Sequence, residues 1–397
     1  MKWPTTKLGE VCRVTPGFAF KSESFQSIGI PVVKIGSIRD DYTVDVTDAQ
    51  CLPMDLFSDK LQKFVLKDRD IVLAMTGATA GKLGRIRTSC DLLLNQRVAK
   101  IESTKANPDF IWFALSSKKY RELFFSIAGG AAQPNMSGSQ IESVEIPLPP
   151  IQSQQCIARI LSAYDNLIAN NQSRMELLEK AARSIYEEWF VRLRFPGHEH
   201  TPFQDDIPKK WERKALITIC PDLREAVLPT NLEPGTPYIG LEHMPRRSIT
   251  LFEWGTSEDV TSTKLKYQAG DILFGKIRPY FHKVGFALTD GVTSSDAIVL
   301  RPIDNLYYIF SLLTVSSDWF VSIVSKTAKE GSKMPRADWK LMEKHTLSIP
   351  PRSLLEALNE TVQPILDQLR TLALQNQKLR IARDLLLPRL MSGEIEV

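Results

Sequence analysis

IARILSAYDNLIANNQSRMELLEKAARSIYEEW, residues 157–189, and LNETVQPILDQLRTLALQNQKLRIARDLLLPRL, residues 358–390, decide how this 397-residue chain is read. In the first, Ile157, Leu161, Tyr164, Ile168, Asn171, Met175, Leu178, Ala182, Ile185 and Trp189 recur at alternating steps of four and three. In the second, Leu358, Val362, Ile365, Leu369, Leu372, Asn376, Leu379, Arg383, Leu386 and Leu390 do the same. An apolar stripe with this spacing, kept over more than four heptads, is the pattern of a coiled-coil helix. Each helix follows a double proline, Pro149-Pro150 and Pro350-Pro351, which stops the preceding element.

Each seam holds one asparagine. If the helices run antiparallel and Asn171 meets Asn376, then Leu161 faces Leu386, Ile168 faces Leu379, Met175 faces Leu372 and Leu178 faces Leu369. A buried amide pair fixes such a register, because a slip leaves each amide unpaired. The alternative is that each stripe packs on its own domain. The 32 steps from Ile157 to Trp189 make a rod of about 48 Å at ~1.5 Å per residue. That exceeds one DNA turn, roughly 34–36 Å. Pro364 is expected to kink the second helix or delay its start, and Pro388 to fray its end.

The segments before the helices repeat. Asp70-Ile71-Val72-Leu73 and Lys82-Leu83-Gly84 return 201 residues later as Asp271-Ile272-Leu273-Phe274 and Lys283-Val284-Gly285. Gln133-Pro134 returns as Met334-Pro335, and Ile146 to Pro150 as Leu347 to Pro351. Upstream, Gly29 to Val33 matches Gly235 to Ile239 at an offset of 206. Short β-rich runs with Gly and Pro punctuation, plus one helical stretch near Pro108 to Phe125, read as a compact α/β domain. The fold class is therefore two pseudo-repeated α/β domains separated by two long helices forming an antiparallel coiled coil.

A hydrophobic share of 43% and a charged share of 24% fit a globular chain, not a disordered one. The five cysteines are scattered without a CxxC pair, which argues against a zinc site or a disulfide framework. No apolar run reaches membrane-span length, so a cytoplasmic protein is expected. The net charge of +4 is too mild to signal nucleic-acid binding by itself, so local basic patches are the better test.

Two such patches recur at matching places. From Thr76 to Ile101 five basic residues face one acid, Asp91. Thr76, Thr79, Lys82, Arg85 and Arg87 lie on or after a small-residue loop, and Asn95-Gln96-Arg97 follows. From Lys264 to Lys283 five basic residues face Asp271, on a loop with Lys276, Arg278, Tyr280, His282 and Lys283. Small residues let a backbone approach phosphates. Arginine and lysine reach phosphates or guanine edges, and Asn and Gln pair with adenine. A solvated basic hairpin is the alternative. Asn135 and Lys333-Met334-Pro335-Arg336 form a further recurring polar loop. Catalytic motifs do not stand out. Thr76 to Lys82 lacks P-loop spacing, Asn107-Pro108-Asp109-Phe110 lacks the second proline of a methyltransferase motif, and no metal ligands group together.

Taken together, Gly77 to Gly84, Asn95-Gln96, Gly130 to Gly138, Ile146 to Pro150, Trp189 to Glu199, Lys276 to Tyr280, Ser294 to Asp296 and Leu387 to Ile395 make the whole chain resemble the specificity subunits of type I restriction-modification systems. The resemblance implies target recognition domains at 1–150 and 195–350, with conserved helical spacers at 151–194 and 351–397. Each domain would read one half of a bipartite double-stranded DNA target. The helices would set the spacing and dock two methyltransferase subunits, joined by restriction/translocase subunits. S-adenosylmethionine would bind those methyltransferase subunits, and this chain would be non-catalytic. The DNA-facing set would be the loop residues above with Lys34, Ser294, Lys333 and Arg336. Two other readings are a fused nuclease or methyltransferase, and a stand-alone DNA-binding or anti-restriction protein.

Overall fold

The computed structural model describes residues 3–129, 135–327 and 334–397. The chain divides into two compact units, Met1–Asn166 with Arg380–Val397, and Leu167–Leu379. Both divisions fall inside the long helices, Ile151–Tyr186 and Arg352–Ser392. The cause lies in a second apolar stripe beside each seam. Tyr186, Leu355, Leu366 and Ala373 are off the four-three seam, yet all are buried in the core of the second unit. The helices therefore pair and also pack on a domain, where the sequence posed these as alternatives.

In the second unit Met175, Ala182, Leu358, Val362, Leu369 and Leu372 share one core. Asn171 Nδ2 donates to Asn376 Oδ1 at 3.0 Å, and Asn376 Nδ2 donates to the Ile168 carbonyl at 3.2 Å. Both amides are 2% exposed, so the register residue is buried and bonded on each helix. In the first unit Ile157, Leu161 and Leu390 are buried together, with Leu386 packed alongside. There Arg383 donates to Asp165 at 2.8 Å. The first helix runs back from 165 to 157 as the second runs on from 383 to 390, which is the antiparallel sense.

The second helix runs from Arg352 through Pro364 and Pro388 to Ser392, so its start is not delayed by the first proline nor its end frayed at the second, contrary to those expectations. Each proline removes one intrahelical donor. Pro364, Pro388 and the residues four before them, Glu360 and Asp384, are all exposed, so the freed carbonyls lie on the solvent side of the helix. Downstream of the first helix, a π-turn at Glu187–Val191 brings Trp189 and Phe190 against Phe195 and Trp211.

The α/β part of each unit repeats the same strand order. In the first unit one sheet runs Cys12–Pro16, Val98–Ser103, Ile71–Ala74, Leu83–Arg85, all antiparallel. A second runs Cys51–Leu52, Ile30–Val33, Leu92–Leu94, Val65–Leu66, with only its central pair parallel. In the second unit Ala297–Leu300, Ile272–Gly275 and Val284–Ala287 repeat the last three strands of the first sheet, and Thr250–Leu251 adds a parallel edge strand beside Val284–Ala287. Gly255–Thr256, Pro237–Ile239, Gly291–Thr293 and Lys264–Tyr267 repeat the other, again with a parallel central pair. The middle strands are buried on both faces, which is why Ile71-Val72-Leu73-Ala74 and Ile272-Leu273-Phe274 read as continuous apolar runs. Asn107-Pro108-Asp109-Phe110 proves to be a helix start. The Asn107 side chain accepts from Phe110 N at 3.0 Å, Pro108 takes the first helical position, and Asp109 lies in the first turn.

Among the described residues no single helix is long and apolar enough to cross a membrane. The five cysteines are free.

Replacing Asn171 or Asn376 alone by leucine leaves the other amide short of a partner, and each change is expected to cost roughly 1–3 kcal/mol. The double replacement restores an apolar pair and should cost less than the two losses together. Denaturant unfolding of the four proteins measures this coupling, and strict additivity would show that the pair contributes nothing.

Candidate nucleic-acid interface

Three sequence-distant loops meet at the same place in each unit. In the first, Thr76 bridges Asn135, Met136 N donates to the Met75 carbonyl at 2.9 Å, and Met75 N donates to the Arg97 carbonyl at 2.9 Å. In the second, Ile277 bridges Arg336, Ala337 N donates to the Lys276 carbonyl at 2.8 Å, and Lys276 N donates to the Asp296 carbonyl at 2.7 Å. The bridge residues differ by 201 in both cases, the offset already visible in the sequence. The clasp thus gathers Thr76 to Lys82 with Asn95-Gln96-Arg97 and Asn135, and Lys276 to Lys283 with Ser294 to Asp296 and Arg336. Lys333 lies outside the described residues, as do Gln133 and Pro134 of the first repeat.

Several expected DNA contacts are occupied within the protein. Arg85 is 6% exposed, pairs with Asp109 and lies against the Trp112 ring at 5.5 Å. Arg69 holds the same carboxylate at 2.6 Å. Arg85 is therefore a core residue, not a surface cation. Lys82 pairs with Asp40 at 3.0 Å, as does Arg121 at 2.5 Å, and these two cations hold the Asp40 carboxyl below its ordinary pKa. Lys34 bonds Gln50 and lies 3.9 Å from the centre of the Phe25 ring. Thr79 Oγ1 donates back to the Thr76 carbonyl at 3.3 Å. Arg87, Gln96, Arg97 and Asn135 are exposed, and Asn95 is half-buried.

The second unit shows the same division. His282 is 2% exposed, so it is an anchor and not a surface donor. Its Nε2 donates to the Ser316 carbonyl at 2.8 Å, and Nδ1 lies 3.2 Å from Asp318. Lys283 is half-buried and its amine bonds the Leu241 carbonyl at 2.5 Å. Lys276 bonds the Ser295 carbonyl at 2.9 Å. Burial lowers the pKa of both lysines. Arg336 pairs with Asp296 at 3.1 Å, and Ser294 Oγ accepts from Asp296 N at 3.2 Å. Tyr280 is exposed and meets Phe281 edge to face at 5.0 Å. Arg278 lies 5.8 Å from the Phe281 ring centre.

Sequence reading missed Arg246, whose guanidinium sits 4.1 Å from the centre of that same ring. The upstream offset of 206 was the available signal. It relates the turns Ile35–Ser37 and Leu241–His243, and carried a few residues on it sets Arg246 opposite Asp40. Elsewhere in the second unit, the Glu179 carboxylate of the first long helix accepts from Ile249 N, Thr250 N and the Ser248 and Thr250 hydroxyls. Burial nevertheless pushes the Glu179 pKa up. Among the described residues no group of three or more His, Cys, Asp or Glu side chains could hold a metal ion.

Burial holds the His282 pKa below its ordinary 6.5, opposed only in part by the Ser316 bond and Asp318. The unfolded chain therefore takes up the proton first. The stability contributed by neutral His282 is complete above pH 6.5 and falls as the pH drops below that value. His282→Gln keeps a donor for the Ser316 carbonyl and should flatten this acid limb. Unfolding midpoints measured from pH 7.5 down to about 5.5 test it, and parallel curves for the two proteins would exclude His282 as the source.

A family model, the type I restriction modification DNA specificity domain, matches residues 1–180. The MjaIX type I restriction enzyme specificity subunit of Methanocaldococcus jannaschii is 25% identical over 305 residues, covering 73% of this chain and 69% of that protein. The putative MjaX specificity subunit of the same organism is 27% identical over 53% of this chain and 51% of its own length. The Escherichia coli EcoAI specificity subunit is 31% identical over 42% of this chain and 28% of its own. The fold is shared with the crystal structure of a type I restriction-modification S subunit from M. genitalium, at a TM-score of 0.59 and 16% identity, over 98% of this chain and 96% of that one. Residues 1–180 thus match a type I restriction modification DNA specificity domain, and over 73% of its length the chain is similar to a type I restriction enzyme specificity subunit.

Proposed function

We propose that this chain is the DNA-recognition subunit of a type I restriction-modification complex, each unit reading one half of a bipartite target. The observation that carries the reading is the repeated clasp, Thr76 with Asn135 and Ile277 with Arg336, which brings polar and cationic loops together at one place on two copies of one scaffold. A duplicated surface of this kind suits a target with two separate parts better than a single catalytic cleft. Recognition is the whole of this chain's task. Methyl transfer and cleavage belong to other subunits, and S-adenosylmethionine is held by the methyltransferase subunits. The paired helices, continuous with both units, offer the docking surface for those subunits, and the assembled complex works in the cytoplasm.

Co-expression with the cognate methyltransferase subunit should give a stable complex on gel filtration. Its methylation profile should show one interrupted motif that disappears when this chain is left out. DNA affinity of the complex should fall linearly with the logarithm of salt concentration, as phosphate neutralisation requires. An unchanged methylation profile without this chain would overturn the reading.

A further inference from the structure

We propose that the two units read DNA with different loops of the same scaffold: the first through Gln96 and Arg97, the second through Tyr280 with Arg278 and Arg246. The inference rests on the function proposed above and assigns the reading groups within it.

In the first unit two of the three candidate cations on or after the small-residue loop are spent internally, Lys82 on Asp40 and Arg85 on Asp109, while Arg87 stays exposed. Gln96 and Arg97 are exposed, and among the described residues neither side chain has a partner. Their backbone is fixed all the same. Asn95 N donates to the Val33 carbonyl at 3.1 Å, Gln96 N to Phe18 at 2.8 Å and Val98 N to Asn95 at 2.9 Å, while Met75 N binds the Arg97 carbonyl. Open side chains on a pinned backbone suit base readout, since arginine pairs bidentately with guanine and glutamine with adenine.

In the second unit the matching tip is closed. Asp296 is held by Arg336, Ser294 Oγ accepts from Asp296 N, and Lys276 covers the Ser295 carbonyl. The neighbouring turn is built for display instead. Gly77 and Gly81, at φ of +72° and +83°, flank the first unit's turn. The residues 201 positions on are Arg278 and His282, at φ of 49° and 54°. The left-handed conformation is free for glycine but strained for other residues. Such strain persists only where surroundings over-determine it, and it collects at functional sites. Here buried His282 locks one end to Ser316, and Tyr280 projects with 56% of its surface exposed. Arg246 and Arg278 both approach the adjoining Phe281 ring, which aligns two guanidiniums beside the exposed tyrosine. The second unit thus accepts strain where the first keeps glycine, and gains an aromatic and cationic reading edge.

The test is methylation profiling of a host carrying the complete complex, wild type or variant. Arg97→Ala should lower base preference about tenfold or more at one or two positions in one half of the motif, leaving the other half intact. Tyr280→Ala should do the same in the opposite half. If either alanine variant abolishes methylation, Arg97→Lys and Tyr280→Leu decide, and each must still relax its own half. Relaxation of the same half by both substitutions, or an unaltered motif in both, overturns the proposal. A wild-type complex that leaves no methylation dependent on this chain would instead reject the function itself.

Discussion

A single buried amide pair sets the alignment of the two long helices. Most apolar side chains around Asn171 and Asn376 would still meet an aliphatic partner after a shift of one heptad, as Ile168 would meet Leu372 and Met175 would meet Ile365. The amides would not, because each would be desolvated without its partner. The bond from Asn376 to the Ile168 carbonyl strengthens the constraint by engaging backbone as well as side chain. In the first unit the Asp165–Arg383 pair acts in the same way, with Arg383 occupying a seam position that an apolar residue would otherwise fill. Polar groups thus fix the alignment, and apolar area supplies the stability.

From those helices the rest of each unit is positioned by side chains that leave the seam. Glu179 captures two backbone amides and two hydroxyls of the segment Ser248–Thr250, and Arg183 reaches the carbonyls of Ser316 and Arg247. Arg247 N in turn bonds the His282 carbonyl, and its side chain pairs with Asp318 at 2.9 Å. A continuous chain of hydrogen bonds therefore runs from the first long helix to the display turn of the second unit. That turn is held by buried groups, which is what allows its exposed residues to keep a defined geometry.

The elements with strong periodicity were legible in the sequence. The four-three seam gave both helices, the lone asparagine in each gave their register, and the offset of 201 gave the duplicated scaffold and the loops that the clasp unites. Individual site residues were less legible because charge balance is a three-dimensional property. Counting five cations against one acid between Thr76 and Ile101 could not reveal that Asp40 and Asp109, outside that window, neutralise Lys82 and Arg85. The burial of His282 was hidden for a similar reason, since its acceptor at Ser316 comes from a helix end 34 residues away. Pro364 misled because a proline rule applied to sequence alone ignores which side of the helix faces water.

The pair of glycines in the first unit makes the two turns unequal partners in any transplant. A side chain at Gly81 would begin 2.9 Å from the Arg121 carbonyl and 3.0 Å from Phe125 N, both backbone atoms of the neighbouring helix. The bulkier turn of the second unit therefore cannot be grafted into the first without moving that helix. The reverse graft meets no such wall, because glycine fits wherever arginine and histidine already stand. Domain engineering on this chain has a preferred direction, written in the distance between one missing β-carbon and one helix.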